Sequence, residues 1–222
     1  MSVFNKRGNF MASLSCWGEV TTENEQDVIA ANRKLHPQQV KLLSVLTDIL
    51  TSTKTEYWID QGTLLGAYRH GKFIERDSDT DIAIRNKEQF EDLYELLKSK
   101  LPSIYGSERK GNHCKGYRIW LKTGGTFKGT FKEREIQWPL VCCDVMFYKY
   151  NQQDKTYVQQ YEGFGVETFI FPETAIFPLN LIEFEGSTYP CPTDLEEYLK
   201  IQYGYIGEGA YWDPDINRWA KT

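Results

Sequence analysis

The sequence predicts an α+β fold, in which a short mixed β-sheet carries a set of acids and helices over 37–53 and 87–100 pack on one side. Three observations lead there. Short apolar runs at 57–59, 82–84 and 140–148 have the length and residue types of buried strands. Two segments, before and after the first pair of runs, repeat apolar residues at helical spacing. Acids stand at the entrance of one strand-like run, as Asp79 and Asp81, and inside another, as Asp144.

The 222 residues suit one domain with a sizeable core, and 41% hydrophobic with 26% charged content is ordinary for a globular chain. A net charge of -5 argues against a general nucleic-acid binder, which needs a basic surface. No apolar run reaches the roughly 18 residues of a membrane span. The first twenty residues lack a continuous apolar core of signal-peptide length, which predicts a cytoplasmic protein. Five cysteines, Cys16, Cys114, Cys142, Cys143 and Cys191, show no framework spacing, so reduced thiols are expected. No C-x-x-C occurs, and His113-Cys114 is an isolated pair, which speaks against a structural zinc site.

Taken in order, residues 1–35 are polar and aperiodic and predict a loosely packed arm, with 36–222 as one domain. His36-Pro37-Gln38 reads as a helix start, followed by Leu43, Leu46 and Leu50 as one buried stripe. Residues 57–59 read as a strand, which Gly62 breaks, and Thr63 is a plausible N-cap for the helical turns through Tyr68. Arg69, His70 and Lys72 make a basic cluster, and Asp77-Ser78-Asp79-Thr80-Asp81 leads into the strand Ile82-Ala83-Ile84. Residues 86–100 read as an amphipathic helix stopped by Pro102. Residues 106–116 read as a polar, basic connection, 117–121 as a strand and 126–138 as a charged, irregular loop. Further strands are expected at 156–161 and 168–171. A last helix spans 193–201, capped by Thr193 or Asp194 and closed at Tyr203-Gly204.

The chemistry concentrates in 57–84. On an extended chain Asp79 and Asp81 point the same way, with Cα atoms roughly 6.5–7 Å apart. Two carboxylates at that spacing suit one Mg²⁺ or Mn²⁺, and the glycine turn at Gly62 and Thr63 offers amides to a phosphate, with Arg69 or Lys72 nearby. Asp144 is one charge inside an apolar run, a costly placement unless the acid binds metal or is paired. A metal role as the third acid and a salt bridge to Arg118 are the two readings of that residue.

Gly62-Thr63-Leu64-Leu65-Gly66, Arg69-His70-Gly71, Phe73-Ile74 and Asp77-x-Asp79-x-Asp81-Ile82, in this order, resemble the core motif of the LicD family. The resemblance extends over 36–214 through Phe184-Glu185-Gly186, Pro192 before a helix, Tyr203-Gly204 and Trp212. This chain departs from the family in carrying Glu75, Arg76 and Ser78 where members often have Pro-Trp and a second adjacent acid. The resemblance implies a nucleotidyltransferase-like fold with an acidic triad of Asp79, Asp81 and Asp144 holding Mg²⁺ or Mn²⁺. It implies an enzyme that transfers a phospho-substituent from a CDP-linked donor to a glycan or glycoconjugate acceptor. Phosphocholine from CDP-choline is the default group, and ribitol phosphate from CDP-ribitol is the runner-up. Nucleotidyl transfer and a catalytically inactive nucleotide-binding module are the remaining alternatives; retention of all three acids favours activity. Asp77 and His70 belong to the motif, and two readings stand for each: ordering its own loop, or acting directly in the site.

Overall fold

The computed structural model describes residues 14–15, 18–19, 25–75, 77–85, 90–109, 116–131, 134–159, 169–213 and 218–221. The chain opens with two short strands, β1 (Leu14–Ser15) and β2 (Gly18–Glu19), then α1 (Glu25–Ser52), β3 (Tyr57–Ile59), α2 (Gln61–His70) and β4 (Thr80–Arg85). There follow α3 (Phe90–Lys100), β5 (Tyr105–Arg109), β6 (Gly116–Leu121), β7 (Thr126–Phe131), β8 (Arg134–Pro139), β9 (Cys142–Asn151) and β10 (Thr156–Gln159). The last elements are β11 (Phe169–Pro172), α4 (Glu173–Ile176), β12 (Asn180–Phe184), β13 (Ser187–Cys191), α5 (Leu195–Tyr203), β14 (Ala210–Asp213) and β15 (Arg218–Lys221).

Among the described residues a seven-stranded mixed sheet forms around β9. Strand β4 runs parallel along one edge of β9, with Asp81 directly beside Asp144. The other edge is shared: β6 pairs antiparallel with the first half, placing Arg118 beside Asp144, and β10 with the second half. Strand β3 extends the sheet beyond β4, and β5 and β11 complete it. The sheet is mixed and the fold is α+β, as the order of apolar runs predicts. A strand buried on both faces reads as a continuous apolar run, and Val141 to Tyr148 are all buried, Asp144 included.

Helix α1 packs on β9 and α3, with Leu42, Leu43, Leu46 and Leu50 fully buried. It begins at Glu25, well before the predicted start, and carries Pro37 in its interior. A proline there removes one helical hydrogen bond, so from sequence it reads as a first-turn residue. Burial of Val28 and Ile29, and the Asn32 amide bonded to the Glu75 carbonyl at 3.2 Å, favour the longer helix. The loop predicted over 126–138 holds instead the antiparallel hairpin of β7 and β8, with Phe127 beside Trp138. Its charged residues mask an alternation that carries Phe127, Phe131, Ile136 and Trp138. Residues 105–109, read in part as a loop, pair as β5 with β6. The expected helix start over 86–89 and the loop 110–115 fall outside the described residues.

One polar knot joins the sheet to the last helix. Asp60 follows β3, has no exposed surface, and accepts hydrogen bonds from Tyr148 Oη (2.5 Å), Tyr198 Oη (2.8 Å) and Gln202 Nε2 (2.9 Å). Trp58 Nε1 donates to Tyr198 Oη at 3.0 Å. Burial pushes the Asp60 carboxyl above its ordinary pKa, and the donors from Tyr148, Gln202 and Tyr198 pull it back.

Replacing Asp60 by alanine leaves two buried hydroxyls and one amide without their acceptor. At about 1–3 kcal/mol for each orphaned group, the loss should be on the order of 3 kcal/mol or more. Tyr198→Phe, which removes one donor to Asp60 and the acceptor of Trp58 Nε1, should cost about 2 kcal/mol. Urea unfolding of the two variants checks the ranking; an Asp60→Ala loss no larger than that of Tyr198→Phe contradicts it.

Candidate active site

The candidate site forms where β3 turns into α2 and where β4, β6 and β9 lie side by side. Gln61, the first residue of α2, takes a left-handed backbone with φ 45°, an uncommon conformation for a side-chain-bearing residue. The turn out of β3 is therefore made by Gln61, and Asp60 occupies the N-cap position predicted for Thr63, without a capping hydrogen bond from its side chain. Gly62 serves a different need: a Cβ there would stand 2.0 Å from Asp77 Oδ2. Only glycine lets the Asp77 carboxylate approach the first turn of α2 so closely.

Thr63 is buried, and its hydroxyl accepts the Asp81 backbone N–H at 2.9 Å, while the Asp60 N–H donates to the Asp81 carbonyl at 3.0 Å. Both bonds lock the start of β4 to the turn. Asp79 lies one residue before β4, and Asp81 is its second residue. From the other side α1 grips the acidic loop. Gln39 Nε2 donates to the Ser78 carbonyl at 2.5 Å and to the Leu140 carbonyl at 3.2 Å, tying the loop to the segment that enters β9. Arg33 pairs with Glu75 at the exposed end.

Asp144 is held by Arg118. Nε and Nη2 each donate to one carboxylate oxygen at 2.8 Å, a bidentate pair between two buried side chains. The guanidinium carbon lies 3.7 Å from the ring centroid of Trp138 on β8. Burial acts to lower the Arg118 pKa, but the Asp144 carboxylate outweighs it and raises the pKa above its usual range. The salt-bridge reading of Asp144 is thus realised, and Arg118 and Trp138 join the site. One cation facing one acid across two apolar strands is the sequence signal for Arg118; Trp138 was hidden by the loop prediction.

The acids crowd one another. Asp77 keeps some exposed surface, yet its carboxyl is packed among protein atoms, which raises its pKa to about 7, with the charge of Asp79 adding to the shift. Tyr203, the last residue of α5, also faces the group; burial and then the charges of Asp81, Asp77, Asp60 and Asp79 keep its phenol protonated. The basic cluster is arranged otherwise. Arg69 donates to the carbonyls of Ile206 and Gly207, each at 2.8 Å. His70 lies 3.8 Å from Glu208 with both side chains largely exposed, and Lys72 is exposed.

Whether these residues suit a divalent cation turns on the chemistry of their oxygens and on the partners they already have. Asp77, Asp79 and Asp81 are hard oxygen donors whose mutual repulsion a cation would relieve. Asp144, as placed, has both oxygens on Arg118. Among the described residues no three His, Cys, Asp or Glu side chains form a ready ligand set.

Comparison with known proteins gives the family. Residues 54–194 match the LicD/FKTN/FKRP family, nucleotidyltransferase domain, and the chain belongs to that family. It is similar to an uncharacterised protein of Rickettsia prowazekii, 34% identical over 104 residues, covering 45% of this chain and 38% of that protein. An uncharacterised protein of Rickettsia typhi is 26% identical over 190 residues, covering 84% of this chain and 52% of the relative. The ribitol 5-phosphate transferase FKRP of Homo sapiens is 26% identical over 164 residues, or 70% of this chain and 29% of that enzyme. The chain thus spans about half or less of the length of these relatives. No helix among the described residues is long and apolar enough to cross a membrane.

The raised pKa of Asp77 fixes a sign for metal-free protein. The folded chain keeps this proton up to about pH 7, whereas an unfolded aspartate loses it near 3.8. Between these values the folded state binds more protons, so stability should fall as pH rises from about 4 to 7 and level off above. Unfolding free energies measured in EDTA across that range, for wild type and Asp77→Asn, check this. A slope that survives in Asp77→Asn assigns it to other groups.

Proposed function

We propose that this chain transfers a phospho-substituent from a CDP-linked donor to a glycan acceptor, on a nucleotidyltransferase-like fold. The observation that supports it best is an acid group beside the first turn of α2: the Asp77 carboxylate lies against Gly62 with Asp79 next to it, and Asp81 and Asp144 are side by side on β4 and β9. A diphosphate needs both features: amides and cationic groups for its oxygens, and acids that hold a cation against its charge. The relatives with a named activity are ribitol 5-phosphate transferases. We therefore take ribitol phosphate as the transferred group and phosphocholine as the comparison donor.

In this reading Asp79 and Asp81 would hold Mg²⁺ or Mn²⁺, and Asp144, the third acid of the triad, lies beside Asp81 and keeps its pair with Arg118. When bound, the cation supplies charge neutralisation at the diphosphate and lowers the barrier to in-line attack by an acceptor hydroxyl. Thr63 keeps Asp81 in register through its backbone amide. Gly62 leaves the Asp77 carboxylate room at the first turn of α2, and the amides of Gly62 and Thr63 at that turn are the groups we assign to a donor phosphate. Lys72 is exposed just past the C-cap of α2, about 15 Å of helix from the first turn, and would act on the donor only as a distant positive charge. Arg69 acts on the site indirectly, by holding the 206–207 segment behind Tyr203. With both oxygens on Arg118, Asp144 serves as the group that orients the guanidinium and not as the acceptor's base.

Asp79→Asn and Asp81→Asn should each reduce release of cytidine monophosphate by roughly a hundredfold or more, the loss of several kcal/mol of charge stabilisation. Asp77→Asn should weaken it less. Phosphorus NMR with CDP-ribitol and CDP-choline in parallel reads the outcome and ranks the donors. Full turnover in EDTA, or undiminished turnover in Asp81→Asn, contradicts the assignment.

A further inference from the structure

The guanidinium of Arg118 has two edges, and the fold uses one. Nε and Nη2 face Asp144, while Nη1 has no hydrogen-bond partner among the described residues. The side chain is only 8% exposed, clamped between Asp144 and the Trp138 ring, and Asp79 is the next carboxylate in its field. Among the described residues Nη1 is not one of the fully buried atoms that lack a partner, so an acceptor from outside can reach this edge. The edge is held rigidly, with no rotamer freedom left to lose on binding. Its planar pair of N–H groups matches two oxygens of one phosphate.

We propose that Arg118 is an anion-binding residue of the site, that its Nη1 edge takes a phosphate group of the donor, and that Asp144 and Trp138 aim it. This rests on the reading of the site as one for a diphosphate donor, and names the side chain that binds it. The charges define the ligand further. Asp77, Asp79 and Asp81 repel a lone anion, so the anion that reaches Arg118 comes paired with a divalent cation. A diphosphate carrying Mg²⁺ meets that condition, and a monovalent carboxylate does not. The same geometry explains why a lysine would be a poor substitute. Its single ammonium can satisfy Asp144 or the phosphate, while the arginine fork satisfies both.

Calorimetric titration of inorganic pyrophosphate and of cytidine diphosphate, each with Mg²⁺, tests this on wild type, Arg118→Lys and Arg118→Met. Both variants should bind both ligands roughly tenfold or more weakly, the loss of a charge-assisted hydrogen-bonded pair. Arg118→Lys keeps a positive charge beside Asp144 and should stay folded; if Arg118→Met does not fold, Arg118→Lys decides alone. Unchanged pyrophosphate affinity in folded Arg118→Lys overturns the proposal. Should wild type bind pyrophosphate in an Arg118-dependent way yet bind cytidine diphosphate no better, the anion site stands and the cytidine donor fails. Cytidine diphosphate binding that ignores Arg118 leaves the donor reading in place and removes this residue from it. Absence of binding of either ligand by wild type overturns both.

Discussion

Asp60 lies without solvent contact where β3 ends, and three donors from β9 and α5 make that placement tolerable. A carboxyl group buried this way is costly without its partners, so strand, sheet centre and last helix must assemble together. The rest of the site is registered on this knot. The chain leaves Asp60 through a left-handed Gln61, Gly62 comes up against Asp77, and Thr63 takes the Asp81 amide. A change at Tyr198 or Gln202, both far along the chain, therefore reaches the acids through the position of α2.

The second constraint is like charge. Asp77 and Asp79 on the loop before β4 adjoin Asp81 and Asp144, which face each other on paired strands, and the fold meets this repulsion in different ways. Asp144 receives Arg118, while burial, with the charge of Asp79 second, lifts the Asp77 pKa to about 7. Helix α1 holds the acidic loop in place through Gln39 and Asn32, so the acids cannot simply move apart. Holding like charges together in this way costs folding free energy, which a positively charged partner would offset, as the proposed function requires.

Much of this was legible in the sequence, and the failures have physical causes. The strands at 57–59 and 82–84 and the apolar strand with one acid were visible because burial on both faces leaves an uninterrupted apolar run. The order of glycine, basic cluster and acids carried the family. Three features were hidden. Pro37 disguised the middle of α1 as its start, because tertiary burial outweighs one lost helical hydrogen bond. Gly62 looked like the turn, whereas the left-handed residue is Gln61 and the glycine answers to Asp77 from fifteen positions on. Arg69 and Arg118 could not be ranked from spacing: the nearer one bonds loop carbonyls, and the distant one enters the acid group through strand pairing.

The central claim is that the acids beside α2 and the free edge of Arg118 bind one cation–diphosphate unit. A crystal structure with Mn²⁺ and cytidine diphosphate, with anomalous data at the manganese edge, tests it most directly. The account predicts a manganese peak within bonding distance of Asp79 and Asp81, and a phosphate bridging it to the first turn of α2 and to Arg118. A peak elsewhere on the protein, or a nucleotide whose phosphates lie away from both groups, would contradict it.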